Sequence, residues 1–324
     1  MAEGVAGPGT MSTERAAKVG GGDSLPRAAA RALMRAFMRV GGFTTGYGKL
    51  SSTRIAKWSC GGLPSEVLAR LRNGVSIAVN PRDYNGRMLL ILGSVDPKIY
   101  RTCAGLLREG DLFLDIGANY GAVGLLCQSI VGARGRVVMV EPQPVLCRRI
   151  RDAIARHALG HCELLECGLL DKEGTLQMVA DPDHSGAASL VELTRRGARV
   201  EVPVRDARRL LPEVIGGRPF GAKVDVEGAE RVVVPTLFEA PSARFVLYEA
   251  KDRGSQVTLW NQAKAGGLSV FGIRKRLWSV SYQPIAEESQ LRAHADFVAV
   301  RLAGPPPVGP LGLAALRRMV DARG

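Results

Sequence analysis

The chain has 324 residues, 46% of them hydrophobic, enough to bury a core as one large α/β domain with additions or as two small domains. The 44 Lys and Arg against 31 Asp and Glu give a formal charge of +13; because the arginines are dispersed, aromatics are few and no nucleic-acid motif appears, a solvated basic surface is expected and no nucleic-acid partner. No apolar run approaches the roughly 20 residues of a membrane-spanning helix, and the start lacks the charged, apolar and small-residue succession of a secretory signal, so cytoplasmic residence is expected.

Residues 1–25 are rich in Gly, Ala and small polar side chains without hydrophobic periodicity, which predicts a disordered tail. An N-terminal extension is read over 26–95. It opens with Leu33, Met34, Phe37 and Met38 at helical spacing and Arg27, Arg31, Arg35 and Arg39 every four residues, a basic amphipathic helix ending at Gly41-Gly42. Such a helix either docks its apolar stripe on the next element or, as a candidate peripheral membrane contact through residues 26–40, lies on a lipid surface. The alternating run Val75–Val79, the turn-rich 80–86 and the apolar 88–92 then read as a hairpin.

From about 96 to 303 the pattern alternates regularly. A helix near 96–108 precedes a strand at 112–114; a helix from about 120, a strand at 136–140 and a helix at 144–158 follow. Further strands are expected at 162–166, 175–179, 199–204, 222–226, 244–249 and 296–301, with helices at 228–238 and 255–266. This alternation specifies an α/β fold with a parallel sheet covered on both faces. Residues 304–324 read as a C-terminal tail with a short helix over 311–320. The six cysteines at 60, 103, 127, 147, 162 and 167 form no CxxC pair, and with His157 and His161 they lack zinc-site spacing, so core thiols and no metal are expected.

The first strand-to-helix turn of the regular region is Asp115-Ile-Gly117-Ala-Asn119-Tyr-Gly121, the place where open α/β sheets bind ligands. Dinucleotides and S-adenosylmethionine both use such a turn. A pyrophosphate wants unopposed backbone N–H groups, whereas Asp115 would repel it and attract an ammonium or sulfonium, and Asn119 stands where GxGxxG has its second glycine. The charge therefore favours the methyl donor. Glu141 ends the next strand, where a carboxylate can accept from both ribose hydroxyls. Asp225, Glu227 and Glu230 end another strand at a glycine turn; Asp225 suits a proton acceptor or orienting group, Glu227 a substrate ligand or a helix cap. His184 and His294 are loop imidazoles that could serve as bases. Asp225, Glu227 and Glu249 could hold Mg²⁺ through oxygens, but strand-end carboxylates alone do not establish a metal.

Together the blocks 110–121, 135–142, 186–190, 202–206 and 223–230, with Val246-Leu-Tyr-Glu249 after them, resemble the FkbM family of S-adenosylmethionine-dependent methyltransferases over about residues 90–300. The resemblance implies a Rossmann-like class I methyltransferase fold, a mostly parallel doubly wound sheet with an N-terminal extension. It implies O-methylation of a hydroxyl on a sugar, glycolipid or natural-product scaffold, with S-adenosylmethionine as cofactor and a small-molecule or glycan acceptor as partner. By motif, Asp115, Gly117, Asn119 and Gly121 would hold the methionine end of the donor and Glu141 its ribose. Glu166 and Cys167 are the adenine-side candidates, and Asp225, Glu227 and His184 the catalytic ones. The competing readings are a NAD-dependent oxidoreductase and a non-catalytic adaptor on a methyltransferase-like fold.

Overall fold

The structure is a computed structural model that describes residues 23–180, 185, 198–226 and 228–322. The tail expected at 1–25 therefore lies almost wholly outside the described residues, as do His184, Glu227 and the 186–190 block.

Three helices open the described chain: α1 (Leu25–Val40), α2 (Tyr47–Ser52) and α3 (Arg54–Cys60). The basic helix forms as expected, but its faces are used in an unexpected way. Met34 and Met38 pack against Ala56, Cys60, Met88, Ile91 and Leu92. Three of the four spaced arginines, expected on the solvated basic surface, turn inward beside them: Arg27 donates to Gly61 O at 2.5 Å, Arg31 to Ser59 O, and Arg35 to Ile91 O at 2.8 Å and to Leu90 O, while Arg39 stays exposed. These carbonyls lie at the C-terminal ends of helices, where unpaired oxygens and the negative dipole end attract cations.

A short hairpin follows, β1 (Val67–Arg70) paired antiparallel with β2 (Ser76–Val79). The expected hairpin partner, the apolar run 88–92, is instead the end of helix α4 (Tyr84–Leu92). Periodicity cannot separate a short apolar strand from a buried helix, and here the caps decide. Asp83 accepts from Gly86 N at 2.8 Å, and Gly93 closes the helix in the left-handed conformation, φ 66°.

The regular region runs α5 (Pro97–Leu106), β3 (Leu112–Ile116), α6 (Ala122–Val131), β4 (Arg136–Val140), α7 (Pro144–Arg156) and β5 (Cys162–Leu165). A separate three-stranded sheet comes next, β6 (Gly168–Leu170), β7 (Gly174–Ala180) and β8 (Ala198–Asp206). Then follow α8 (Ala207–Ile215), β9 (Phe220–Val224), α9 (Glu230–Glu239), β10 (Ala243–Glu249), α10 (Arg253–Ala265), β11 (Ser269–Lys275), β12 (Val280–Pro284), β13 (Asp296–Val300), β14 (Leu311–Gly312) and α11 (Leu313–Asp321). Every strand expected after residue 110 is present; β6, β11 and β12 were not expected. The segment read as a C-terminal tail adds β14 to the edge of the main sheet and lays α11 against α5.

The main sheet has the order β14-β12-β11-β13-β10-β9-β3-β4-β5. β5, β4, β3, β9 and β10 pair in parallel, and β13 enters antiparallel between β10 and β11. Chain order reverses at β3, which is flanked by β4 on one side and β9 on the other. Side chains alternate across the sheet. Leu112, Leu114 and Ile116 join the core under α8 and α9, while Phe113 joins the core under α5, α6 and α7. Burial on both faces explains why these strands read as continuous apolar runs rather than alternating ones.

Candidate functional site

A cavity of about 650 Å³ opens at the C-terminal ends of β3, β4, β9 and β10, where the chain order reverses and ligands bind in open α/β sheets. Gly117, in the turn after β3, has φ 70°, and a Cβ there would lie 1.8 Å from the Asp225 carbonyl oxygen. Only glycine lets the turns after β3 and β9 approach so closely.

Asp115 does not face the cavity. As the next-to-last residue of β3 it shares the parity of Phe113 and points toward α6, fully buried, where its Oδ2 accepts from Gly124 N at 2.8 Å. Register places it beside Lys223 of β9, whose Nζ stands 3.2 Å from Asp115 Oδ1 and donates to Gly117 O at 2.6 Å. Burial alone would lower the Lys223 ammonium, but Asp115, Asp225 and Glu141 outweigh it and hold Lys223 above the usual lysine range. For Asp115, burial raises the carboxyl and Lys223 pulls it back. The expected attraction of Asp115 for a cationic ligand thus becomes an internal ion pair that fixes the Gly117 carbonyl.

Glu141, 3% exposed at the end of β4, does line the cavity. Its Oε2 accepts from Asn119 N at 2.7 Å and its Oε1 from Gln143 N at 3.0 Å, one donor per oxygen, so each keeps a lone pair for a hydroxyl. Burial pushes this carboxyl up to about 7 despite those two donors. Asn119, left-handed at φ 53°, sends Nδ2 to Ser185 Oγ at 3.1 Å. Ser185 in turn donates through N and Oγ to Asp83 at 2.8 and 3.0 Å, and its carbonyl accepts from Gln143 Nε2 at 3.1 Å. Asp83 thereby caps α4 and anchors Ser185 beside Asn119 and Gln143.

Cys167, Gly168, Leu169 and Val140 add an apolar wall beside Glu141. Burial pushes the Cys167 thiol up to about 11, leaving it a packing group rather than a nucleophile. Glu166 points outward and pairs with Arg151, and Gly121 packs on Met139 and Ile150 as the N-cap of α6; neither lines the cavity.

On the other side of β3 the cavity is bounded by Asp225, Glu249 and Asp296, and by residues 44–49, 84–85, 88 and 95–99 of the N-terminal extension and α5. Lys98 is held between Asp296 at 2.5 Å and Asp96 at 3.2 Å. Burial and the charge of Asp225 raise the Glu249 carboxyl. His294 is buried with its ring against Gly272 and edge-on to Phe297; it lies outside the cavity lining, and burial lowers its pKa. Among the described residues no group of three or more His, Cys, Asp or Glu is placed to hold a metal, and all six cysteines are free and buried. Lys223, Asp83, Ser185, Lys98 and Asp296 escaped sequence reasoning. Lys223 and Asp83 had signals, a cation inside an apolar strand and a carboxylate three residues before Gly86; Ser185 had none.

The family model described as the methyltransferase FkbM domain matches residues 115–258, from the end of β3 into α10. Residues 115–258 are thus similar to methyltransferase FkbM domains. The match contains Gly117, Asn119, Glu141, Cys167, Ser185, Lys223, Asp225 and Glu249. The walls at 44–49 and 84–99, with Lys275 and Asp296, lie outside it. No curated protein matches the chain. Among solved structures, the methyltransferase FkbM from Methylobacillus flagellatus KT is similar at 12% identity and TM-score 0.41, covering 85% of this chain and 59% of that one. An S-adenosylmethionine-dependent O-methyltransferase from Thermotoga maritima is similar at 11% identity and TM-score 0.38, covering 75% and 95%. Fibrillarin from Aeropyrum pernix, with natively bound S-adenosyl-L-methionine, is similar at 16% identity and TM-score 0.33, covering 73% and 94%.

Proposed function

We propose that the FkbM domain of this chain binds S-adenosylmethionine and methylates a hydroxyl of a sugar, glycolipid or natural-product scaffold. The observation that carries the reading is one continuous cavity with Glu141 on the β4 side of the Gly117 turn and Asp225 on the β9 side. The donor fits the first side on the chemistry of that side: Glu141 retains acceptor capacity for two ribose hydroxyls, Cys167 and Leu169 border an apolar slot for the base, and Gly117 leaves its backbone bare. When bound, the donor supplies an electrophilic methyl group on a cationic sulfur.

The chain's own contribution is alignment and charge. The Lys223 contact on the Gly117 carbonyl keeps the turn in one conformation. Asp225 is the exposed carboxylate facing the second side, suited to accept the acceptor hydroxyl proton as the oxygen–carbon bond forms and the carbon–sulfur bond breaks. Glu227 and His184 remain proposed contributors from the motif alone. The polar second side, with Thr45, Tyr84, Asn85 and Lys98, suits a polyhydroxyl acceptor.

Thermal-shift measurements with S-adenosylhomocysteine and NADH test the donor assignment. S-adenosylhomocysteine should stabilise the chain by about 2.7 kcal/mol at 100 times its Kd, NADH not at all; the reverse would move the domain to the oxidoreductases, and no shift with either would favour an adaptor. Asp225→Asn should leave S-adenosylhomocysteine affinity within about twofold and lower transfer of a labelled methyl group to glycolipids and glycosides about 10²- to 10⁴-fold.

A further inference from the structure

With Arg27, Arg31 and Arg35 turned inward, an apolar face of α1 is left in water. Leu33, Phe37 and Val40, spaced i, i+4, i+7, are 72%, 62% and 89% exposed. Phe43 continues the surface, its ring centroid 5.2 Å from Phe37 and 6.4 Å from Trp278, which is itself 65% exposed at the tip of the β11–β12 hairpin beside exposed Leu277. Soluble surfaces rarely gather this many large apolar side chains without a partner.

The charge around them is of one sign. Arg39, Arg274, Lys275 and Arg276 are exposed at the border, and neither residues 24–65 nor residues 253–286 contain a single Asp or Glu. Aliphatic Leu33, Val40 and Leu277 offer nothing to a phosphate backbone, whereas a bilayer interface takes aliphatic and aromatic side chains into its acyl boundary, seats Trp at headgroup depth and pairs basic residues with anionic headgroups.

This surface also adjoins the cavity. Thr44 and Lys275 line the cavity, each next in sequence to a member of the patch or its basic border. Thr44 N donates to Leu277 O at 3.0 Å, and Thr44 Oγ bonds Arg276 O and, at 3.1 Å, Ser279 O.

We propose that the patch formed by Leu33, Phe37, Val40, Phe43, Leu277 and Trp278 docks on an anionic bilayer interface, presenting the second side of the cavity to the membrane. Its hydroxyl acceptor is then an amphiphile held in that membrane, its polar head entering past Thr44 and Lys275. The acceptor class rests on the methyl-transfer reading; the docking does not.

The test is flotation of the full chain with phosphatidylcholine vesicles with and without 30% phosphatidylglycerol. Binding should require the anionic lipid. Phe37→Ser with Trp278→Ser should lower partitioning at least tenfold while leaving the thermal shift with S-adenosylhomocysteine unchanged, and quenching of Trp emission by brominated lipid should vanish in Trp278→Phe. No flotation on either vesicle overturns the proposal, as does flotation that the double variant leaves intact. It is equally overturned if the double variant instead abolishes RNA retention or dissolves a dimer, or if binding appears only after residues 1–22 are removed. A wild-type chain that floats yet is not stabilised by S-adenosylhomocysteine would sink the methyl-transfer reading and leave the docking standing.

Discussion

If Glu141 holds the donor ribose as proposed, donor binding is a proton-linked event. Burial holds its carboxyl up to about 7 in the ligand-free chain, and two ribose hydroxyls donate to the carboxylate, not the acid. Binding therefore requires ionisation, and below pH 7 each unit weakens the complex tenfold, about 100-fold at pH 5 relative to pH 8. Titration calorimetry with S-adenosylhomocysteine between pH 5 and 8.5, in buffers of different ionisation heat, should show that dependence with release of close to one proton at the acid end. The same group acts on stability with a definite sign. Its folded pKa lies above the ordinary 4.5, so the native state holds a proton that the unfolded chain has lost, and stability present below pH 4.5 is given up as pH rises to about 7. The span of about 7 minus 4.5 corresponds to at most about 3 kcal/mol. Glu141→Gln should weaken donor binding and flatten both profiles. An affinity independent of pH in the wild type would refute the assignment of Glu141 to the ribose.

Three further outcomes follow from the geometry. Lys223→Met leaves Asp115 buried without its cation and should cost about 3–5 kcal/mol, read by urea unfolding, with Asp115→Asn in the same chain restoring much of the loss. Gly117→Ala should abolish donor binding and destabilise by more than about 2 kcal/mol, since it adds a left-handed penalty to a contact with the Asp225 carbonyl that cannot relax; a soluble variant with wild-type affinity would contradict the packing. Asp83→Ala removes the α4 cap and the Ser185 anchor, and should cost about 1–2 kcal/mol in chemical unfolding and raise the Kd for S-adenosylhomocysteine several-fold by releasing Asn119.

The parallel half of the sheet was legible in the sequence because strands buried on both faces are short, apolar and bounded by turn residues. The region before residue 96 was not, because Met88–Leu92 satisfies strand and helix equally and only Asp83 and Gly93 distinguish them. Among site residues, Gly117 was legible as a glycine that must be one, and Glu141 as a strand-end carboxylate. Asp115 was placed one function too far, and parity is the reason: it stands two residues from Gly117, Lys223 stands two residues from Asp225, and on neighbouring parallel strands at that level the two face each other beneath the turns. Ser185 illustrates the opposite limit, because its partners Asp83, Asn119 and Gln143 are brought to it only by tertiary folding.

The cavity's two ends come from different stretches of chain. The Gly117, Glu141 and Cys167 end lies wholly within residues 115–258, whereas much of the far wall, at 44–49 and 84–99, is supplied by residues that precede the domain match. Within that wall residues 44–49 bond neither Gly117 nor Glu141, whereas Asn85 reaches Asn119 at 3.5 Å; on the proposed function, the first stretch is where acceptor preference can drift while the donor end stays under its own constraints. Grafting 44–49 alone from a relative, which leaves Asp83 and its Ser185 anchor in place, should carry over a preference for one alcohol over another and leave the donor Kd where it was, making this short stretch the natural place to diversify when a different product is wanted.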